Sequence, residues 1–103
     1  MHNIHYSNDA QNDLYIAISR IASESKNNAL NYLARYEEKI ELLRLNPFMG
    51  VECKNKLIKR DCRVLVHESH IIVYKVVDDK KEIFLIRIFH SSVNYANKMN
   101  KES

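Results

Sequence analysis

Cys62-Arg63-Val64-Leu65-Val66, Ile71-Ile72-Val73-Tyr74-Lys75-Val76-Val77 and Ile83-Phe84-Leu85-Ile86-Arg87-Ile88-Phe89 decide the fold. They are runs of β-branched and aromatic residues, the composition that suits a pleated, packed surface. His67-Glu68-Ser69-His70 and Asp78-Asp79-Lys80-Lys81-Glu82 separate them, and both are short and polar enough for hairpin turns. The sequence therefore predicts three successive antiparallel strands. The second and third runs are apolar on both faces, which places them centrally with cover on each side.

Upstream the period changes from two to about 3.6. Ala10, Leu14, Ile18 and Ile21 recur at helical spacing, giving one apolar stripe. Ser7-Asn8-Asp9 just before it are good cap residues, because their side chains accept from the unpaired amides of a first helical turn. Ile4 and Tyr6 read as a short strand ahead of that cap. Ser23-Glu24-Ser25-Lys26-Asn27-Asn28 interrupts the stripe and predicts a turn. A second stripe follows at Ala29, Leu33, Tyr36, Ile40 and Leu43. Asn46-Pro47 ends it, since proline disfavours helical backbone in the residue before it. Gly50 is read as a turn residue needing positive φ, 51–61 as a basic loop, and 96–103 as a frayed tail or short helix.

The order is thus β-α-α-β-β-β in one α+β domain over residues 1–103. A helical hairpin packs on one face of a small antiparallel sheet, and the other face is expected to stay open for a macromolecule. Length and composition agree: 103 residues, 46% hydrophobic and 28% charged, suit one modest core. A single Gly and a single Pro exclude collagen-like and flexible-linker architectures. Met1-His2-Asn3-Ile4-His5 has no basic start before an apolar core, so no secretory signal is read. The expected compartment is the cytoplasm, with Cys53 and Cys62 as separate thiols. Formal net charge is +3. Residues 1–50 hold five basic and six acidic side chains, against eleven and seven in 51–103. A positive C-terminal half suits an anionic partner or a solvated basic face.

Little in the sequence supports catalysis. One glycine cannot build a phosphate-cradling loop. Cys53, Cys62, His67 and His70 lack the spacing of a tight metal-ligand loop, so no metal and no cofactor are expected. The residues that stand out are polar ones set in or beside apolar strands: Arg63, His70, Tyr74, Lys75, Arg87 and His90, then Asn94 and Tyr95. Arg87 between Ile86 and Ile88 is the sharpest, because a central strand takes a charge only where a counter-charge, a partner or water meets it. One reading pairs Arg87 with Asp61 or Glu68. The other makes a basic, aromatic-edged rim for phosphate or carboxylate groups. Alternation puts His70 with Tyr74 and sets Arg87 against His90, so these side chains cannot all line one cleft.

Four segments carry a resemblance: Asn46-Pro47-Phe48-Met49-Gly50, Arg63 in Cys-Arg-Val-Leu-Val, Ser69-His70-Ile71-Ile72-Val73-Tyr74, and Ile86-Arg87-Ile88-Phe89-His90. Together, and in this order, they resemble the ParE branch of the RelE/ParE toxins of bacterial type II toxin–antitoxin systems. The chain departs from that pattern at Ser91-Ser92-Val93-Asn94-Tyr95, where Asn94 stands in place of an acid. The resemblance implies a growth-arresting toxin neutralised by a cognate antitoxin, with DNA gyrase as target and no catalysis of its own. Arg63, His70, Tyr74, Arg87, His90 and Asn94 are then the expected target contacts. Leu14, Ile18, Leu33, Tyr36 and Ile40 are the expected antitoxin contacts. The alternative is a RelE-like, ribosome-dependent mRNA endoribonuclease, which would need Arg63, Arg87, His90 and Tyr95, or Lys54 and Lys56, to converge on one phosphate. A third possibility is a non-toxic relative that binds only the antitoxin.

Overall fold

The computed structural model describes residues 1–53 and 62–91. Strand β1 (Asn3–Tyr6) leads into helix α1 (Asn8–Glu24), and helix α2 (Lys26–Leu45) follows. The Ser7 hydroxyl caps α1 by accepting from the Ala10 amide at 2.9 Å and donates to the Ile86 carbonyl at 2.7 Å. The turn expected across residues 23–28 shrinks to one residue. Ser25, extended at φ −157° and ψ 117°, ends α1 and caps α2 by accepting from the Asn28 amide. A side-chain cap needs only one non-helical residue, so the polar stretch on either side of Ser25 stays helical.

Beyond α2 come β2 (Val51–Glu52), β3 (Arg63–His67), β4 (His70–Val77), a 3-10 turn at Asp78–Lys80, and β5 (Glu82–His90). They form a five-stranded sheet in the order β1-β5-β4-β3-β2. Two features correct the expectation. Val51–Glu52, read as part of a loop, pairs with Val64 and Arg63 as an antiparallel edge. The sheet is also mixed rather than purely antiparallel, because β1 lies parallel to β5, with Ile4 opposite Ile83 and Tyr6 opposite Leu85. That register puts Ile4 and Tyr6 on the helix-covered face beside Ile83 and Leu85.

The main core is where helix stripe meets sheet: Ala10, Tyr32, Tyr36, Ile40 and Leu43 against Leu65, Ile72, Tyr74, Ile83, Leu85 and Ile88. Leu14, Ile18, Ile21 and Leu33 pack on its margin. Tyr6 and Tyr36 join hydroxyls at 2.8 Å inside it. The opposite face is not open at its centre, contrary to the expectation. Cys62, Val73 and Phe89 form a second buried cluster there, with Cys53, Ile71 and Ile86 packed against it. Cys53 and Cys62 are also not separate thiols. The Cys53 amide donates to the Cys62 carbonyl at 3.0 Å, which brings the Cα atoms to 5.5 Å, and the pair is a disulfide. That spacing is ordinary for a disulfide, and it follows from the β2–β3 pairing that the sequence did not reveal.

Candidate functional site

The strand polar residues separate into three places. The first gathers around Gly50, at the end of α2. The Tyr74 hydroxyl, on a side chain with no exposed surface, donates to the Pro47 carbonyl and accepts from the Gly50 amide, both at 2.9 Å. Burial pushes the Tyr74 phenol up, so it remains a donor. Arg63 donates to the Gly50 carbonyl at 2.8 Å and the Phe48 carbonyl at 3.3 Å, and its guanidinium lies over the Phe48 ring. Gly50 is required here, though not for positive φ, which it does not have. A Cβ at this position would lie 2.6 Å from the Tyr74 hydroxyl and 2.7 Å from the Val64 carbonyl oxygen. The glycine lets the chain after α2 close onto β3 and β4.

The second place is the β5 edge beyond the end of β1. A register shift at Val73/Tyr74 sets Val73 opposite Arg87 and Tyr74 opposite Leu85, so Ile86 is the extra residue of a bulge. Arg87 reaches Asp13 of α1 through two hydrogen bonds, Nε at 2.7 Å and Nη2 at 3.1 Å, while its guanidinium stacks on Phe89. The same carboxylate accepts from the Ile88 amide at 2.9 Å. Both side chains are well buried, Arg87 at 16% and Asp13 at 12% exposure. The hydrogen bonds that Asp13 accepts hold the guanidinium above its ordinary pKa. Arg87 is therefore an ion pair, but with Asp13 rather than Glu68. Asp61, the other expected partner, lies outside the described residues. Asp13 could not be picked out beforehand, because it sits off the apolar stripe as any solvated acid would.

The third place lies where the helical hairpin meets the β3–β4 turn. His70 and His90 face each other across β4 and β5, rings edge to face at 5.6 Å. The Tyr32 hydroxyl bonds His70 Nδ1 at 2.7 Å. Burial, reinforced by the Glu68 charge, pushes the Tyr32 phenol up to about 12. His67 packs edge-on to Tyr32 and Tyr36, and its buried Nε2 makes no well-aligned hydrogen bond, although the Glu68 carboxylate stands 3.3 Å away. Burial lowers the pKa of His67 and of His70, and for His70 the nearby His90 and His67 lower it further. Arg35 clasps Glu68 at 2.7 and 3.1 Å and holds its carboxyl below the usual range. The turn residue Glu68 has φ 54°, a costly conformation for a residue with a Cβ.

Thus the expected set does not assemble. His70 joins His90, Arg63 joins Tyr74 and Gly50, and Arg87 joins Asp13. Asn94 and Tyr95, like Lys54 and Lys56, lie outside the described residues. Among the described residues no group of three or more His, Cys, Asp or Glu could hold a metal ion, and no helix is long and apolar enough to cross a membrane.

A family model described as the ParE toxin of type II toxin–antitoxin systems, parDE, matches residues 4–95. The chain belongs to the ParE toxin family. A solved structure described as the chromosomal ParDE TA system from P. aeruginosa shares its fold, with a TM-score of 0.69 at 19% identity over 87% of this chain and 96% of that one. No curated protein matches the sequence. As a ParE toxin, the chain is the toxin component of a type II toxin–antitoxin system, and its partner is an antitoxin.

The apolar residues expected to meet that antitoxin also serve the core of this ParE toxin. Tyr36 and Ile40 are core residues, and Leu14, Ile18 and Leu33 pack against the core. The stripe that periodicity finds is the one the sheet takes. Exposed apolar side chains lie elsewhere, at Tyr15, Ile16, Leu30, Leu42, Leu45, Phe48 and Met49.

Proposed function

We propose that this ParE toxin arrests growth by binding and poisoning DNA gyrase, and does not itself cleave nucleic acid. The observation that carries this reading is the division of Arg63 and Arg87. The first donates to backbone carbonyls near Gly50, and the second is clasped by Asp13 on another element. Cutting RNA through its 2′-hydroxyl requires a base, an acid and cationic donors aimed at one phosphorane-like charge. Of the described candidates, Arg63 stands apart beside Gly50 and Arg87 is already neutralised by Asp13. An inhibitor needs only a complementary surface.

Of the expected target contacts, Tyr74 has no exposed surface and His70 is nearly buried, whereas His90 is exposed and Arg63 and Arg87 are partly so. Arg63, Arg87 and His90 are the contacts retained in this proposal, with Asn94 following them in sequence. For the antitoxin, the outer face of α2 supplies accessible apolar surface. Leu42 and Leu45 line an open groove of about 610 Å³ with Ala34, Glu37, Glu38 and Glu41.

Two assays test the proposal. Expression without antitoxin should give filamentation and a DNA-damage response, and purified toxin should increase the DNA cleaved by gyrase in vitro. Prompt loss of translation with cut mRNA, and gyrase unaffected, would overturn it in favour of the endoribonuclease.

A further inference from the structure

The cleft between the last turns of α1, the first turns of α2 and the β3–β4 turn shares only His90 with the reading above. It holds about 420 Å³, a size suited to a small ligand, and Arg20, Arg35, Ser69, His70 and His90 line it with Tyr32 beneath.

Its wall is rich in hydrogen-bond donors. Tyr32 is buried, so its hydroxyl hydrogen needs an acceptor, and His70 Nδ1 at 2.7 Å is the one it has. With the Tyr32 hydroxyl as donor to Nδ1, the neutral imidazole carries its hydrogen on Nε2. That nitrogen has no hydrogen-bond partner among the described residues, and it is not a buried orphan, since His67 Nε2 is the one such atom there. It therefore opens at the surface of the cleft that His70 lines. The Arg20 guanidinium, on the same wall, makes no ion pair among the described residues. Arg35 gives Nε and Nη2 to Glu68, which neutralises that carboxylate and leaves Nη1 as a further donor. Glu24 also stands on the wall. A ligand there must be a strong enough anion to outweigh it.

We propose that this cleft binds the phosphate group of a small phosphorylated ligand, held by the Arg20 guanidinium and the His70 Nε2–H, with Arg35 at its side. Separate donors around one concavity match the several oxygens of a phosphate better than the two coplanar oxygens of a lone carboxylate. The proposal stands apart from the gyrase reading, because the one residue they share, His90, is not among the groups that hold the phosphate.

The test is a titration of the full-length protein with inorganic phosphate at constant ionic strength. It is followed by two-dimensional NMR of the Arg20 Nε–H and the His70 and His90 rings, with acetate as a parallel arm. Saturable shifts at these nuclei are expected with phosphate, and weaker ones with acetate. Arg20→Gln, on an exposed position, should weaken binding about tenfold or more, as loss of a charged hydrogen bond does. His70→Gln, which keeps an amide N–H near the place of Nε2, should bind more tightly than His70→Phe. Should the phenylalanine variant not fold, the phosphate shifts and Arg20→Gln decide alone. No saturable shift at tens of millimolar phosphate would overturn the proposal. So would unchanged affinity in Arg20→Gln, or an equal response to acetate, which would make the cleft a carboxylate subsite for an acidic protein partner.

Discussion

Replacing Asp13 with alanine should destabilise the protein far more than its place on a helix surface suggests. The carboxylate takes two hydrogen bonds from Arg87 and one from the Ile88 amide, so one truncation removes three interactions. Breaking a buried pair by deleting one partner costs roughly 3–5 kcal/mol, and a backbone N–H left without an acceptor costs about 1–3 kcal/mol more if water cannot reach it. Arg87 keeps its stacking on Phe89, and the β5 edge admits some water. The low end, about 3 kcal/mol, is therefore expected. Against a total of roughly 5–15 kcal/mol for a domain, that is a large fraction. Urea unfolding followed by circular dichroism measures it, with Asp13→Ala, Arg87→Met and the double variant closing a cycle. The double variant should lose less than the two single variants summed, because the methionine chain fills the space with no charge to satisfy. Asp13→Ala within about 0.5 kcal/mol of wild type, the range of an ordinary surface change, would refute the reasoning. It would also return Arg87 to the list of purely functional residues. If the reasoning holds, lost toxicity in Arg87 variants reports lost fold as much as a lost target contact.

Other expectations follow from single observations. Gly50→Ala should cost about 1–3 kcal/mol in the same unfolding assay, because the added Cβ meets the Tyr74 hydroxyl and the Val64 carbonyl and one must move. Lys81, exposed and left-handed at φ 56° and ψ 46°, should do the reverse. Lys81→Gly should stabilise by about 1 kcal/mol by relieving that backbone, read as a rise in Tm. Stability should decline on acidification through His67 and His70. Burial holds their folded pKa values below the unfolded value of about 6.5. The unfolded chain therefore takes up protons first, and stability is full above about pH 6.5 and falls as pH drops toward the folded values. His67→Phe should flatten that decline in Tm against pH.

Much of the architecture was legible because burial and periodicity go together. Helical spacing at Ala10, Leu14, Ile18 and Ile21 marked the stripe that the sheet covers, and the apolar runs at 71–77 and 83–89 marked the central strands. What stayed hidden rested on pairings between distant segments, which leave no local pattern. The parallel partnership of β1 with β5 is set by which edge remains free, and β2 is two residues long, below any periodicity. The disulfide followed from that unseen pairing. The candidate site was legible as residue types but not as an arrangement. Alternation correctly set Arg87 apart from His90. It could not say that Asp13 would come from α1 to meet Arg87, or that Tyr32 would hold His70. Of the residues expected to contact an antitoxin, Tyr36 and Ile40 are taken by the core, whereas Leu14, Ile18 and Leu33 pack at its margin and stay partly exposed.

The central claim is that this ParE toxin works by engaging gyrase through its surface, without catalysing cleavage of its own. The most direct measurement is a DNA cleavage assay with purified gyrase, plasmid and the refolded toxin, run beside a translating ribosome system programmed with a defined mRNA. The account predicts linearised plasmid that depends on both gyrase and toxin, with the mRNA intact. Cut mRNA in the ribosome arm, with gyrase turning over plasmid as usual, would contradict it.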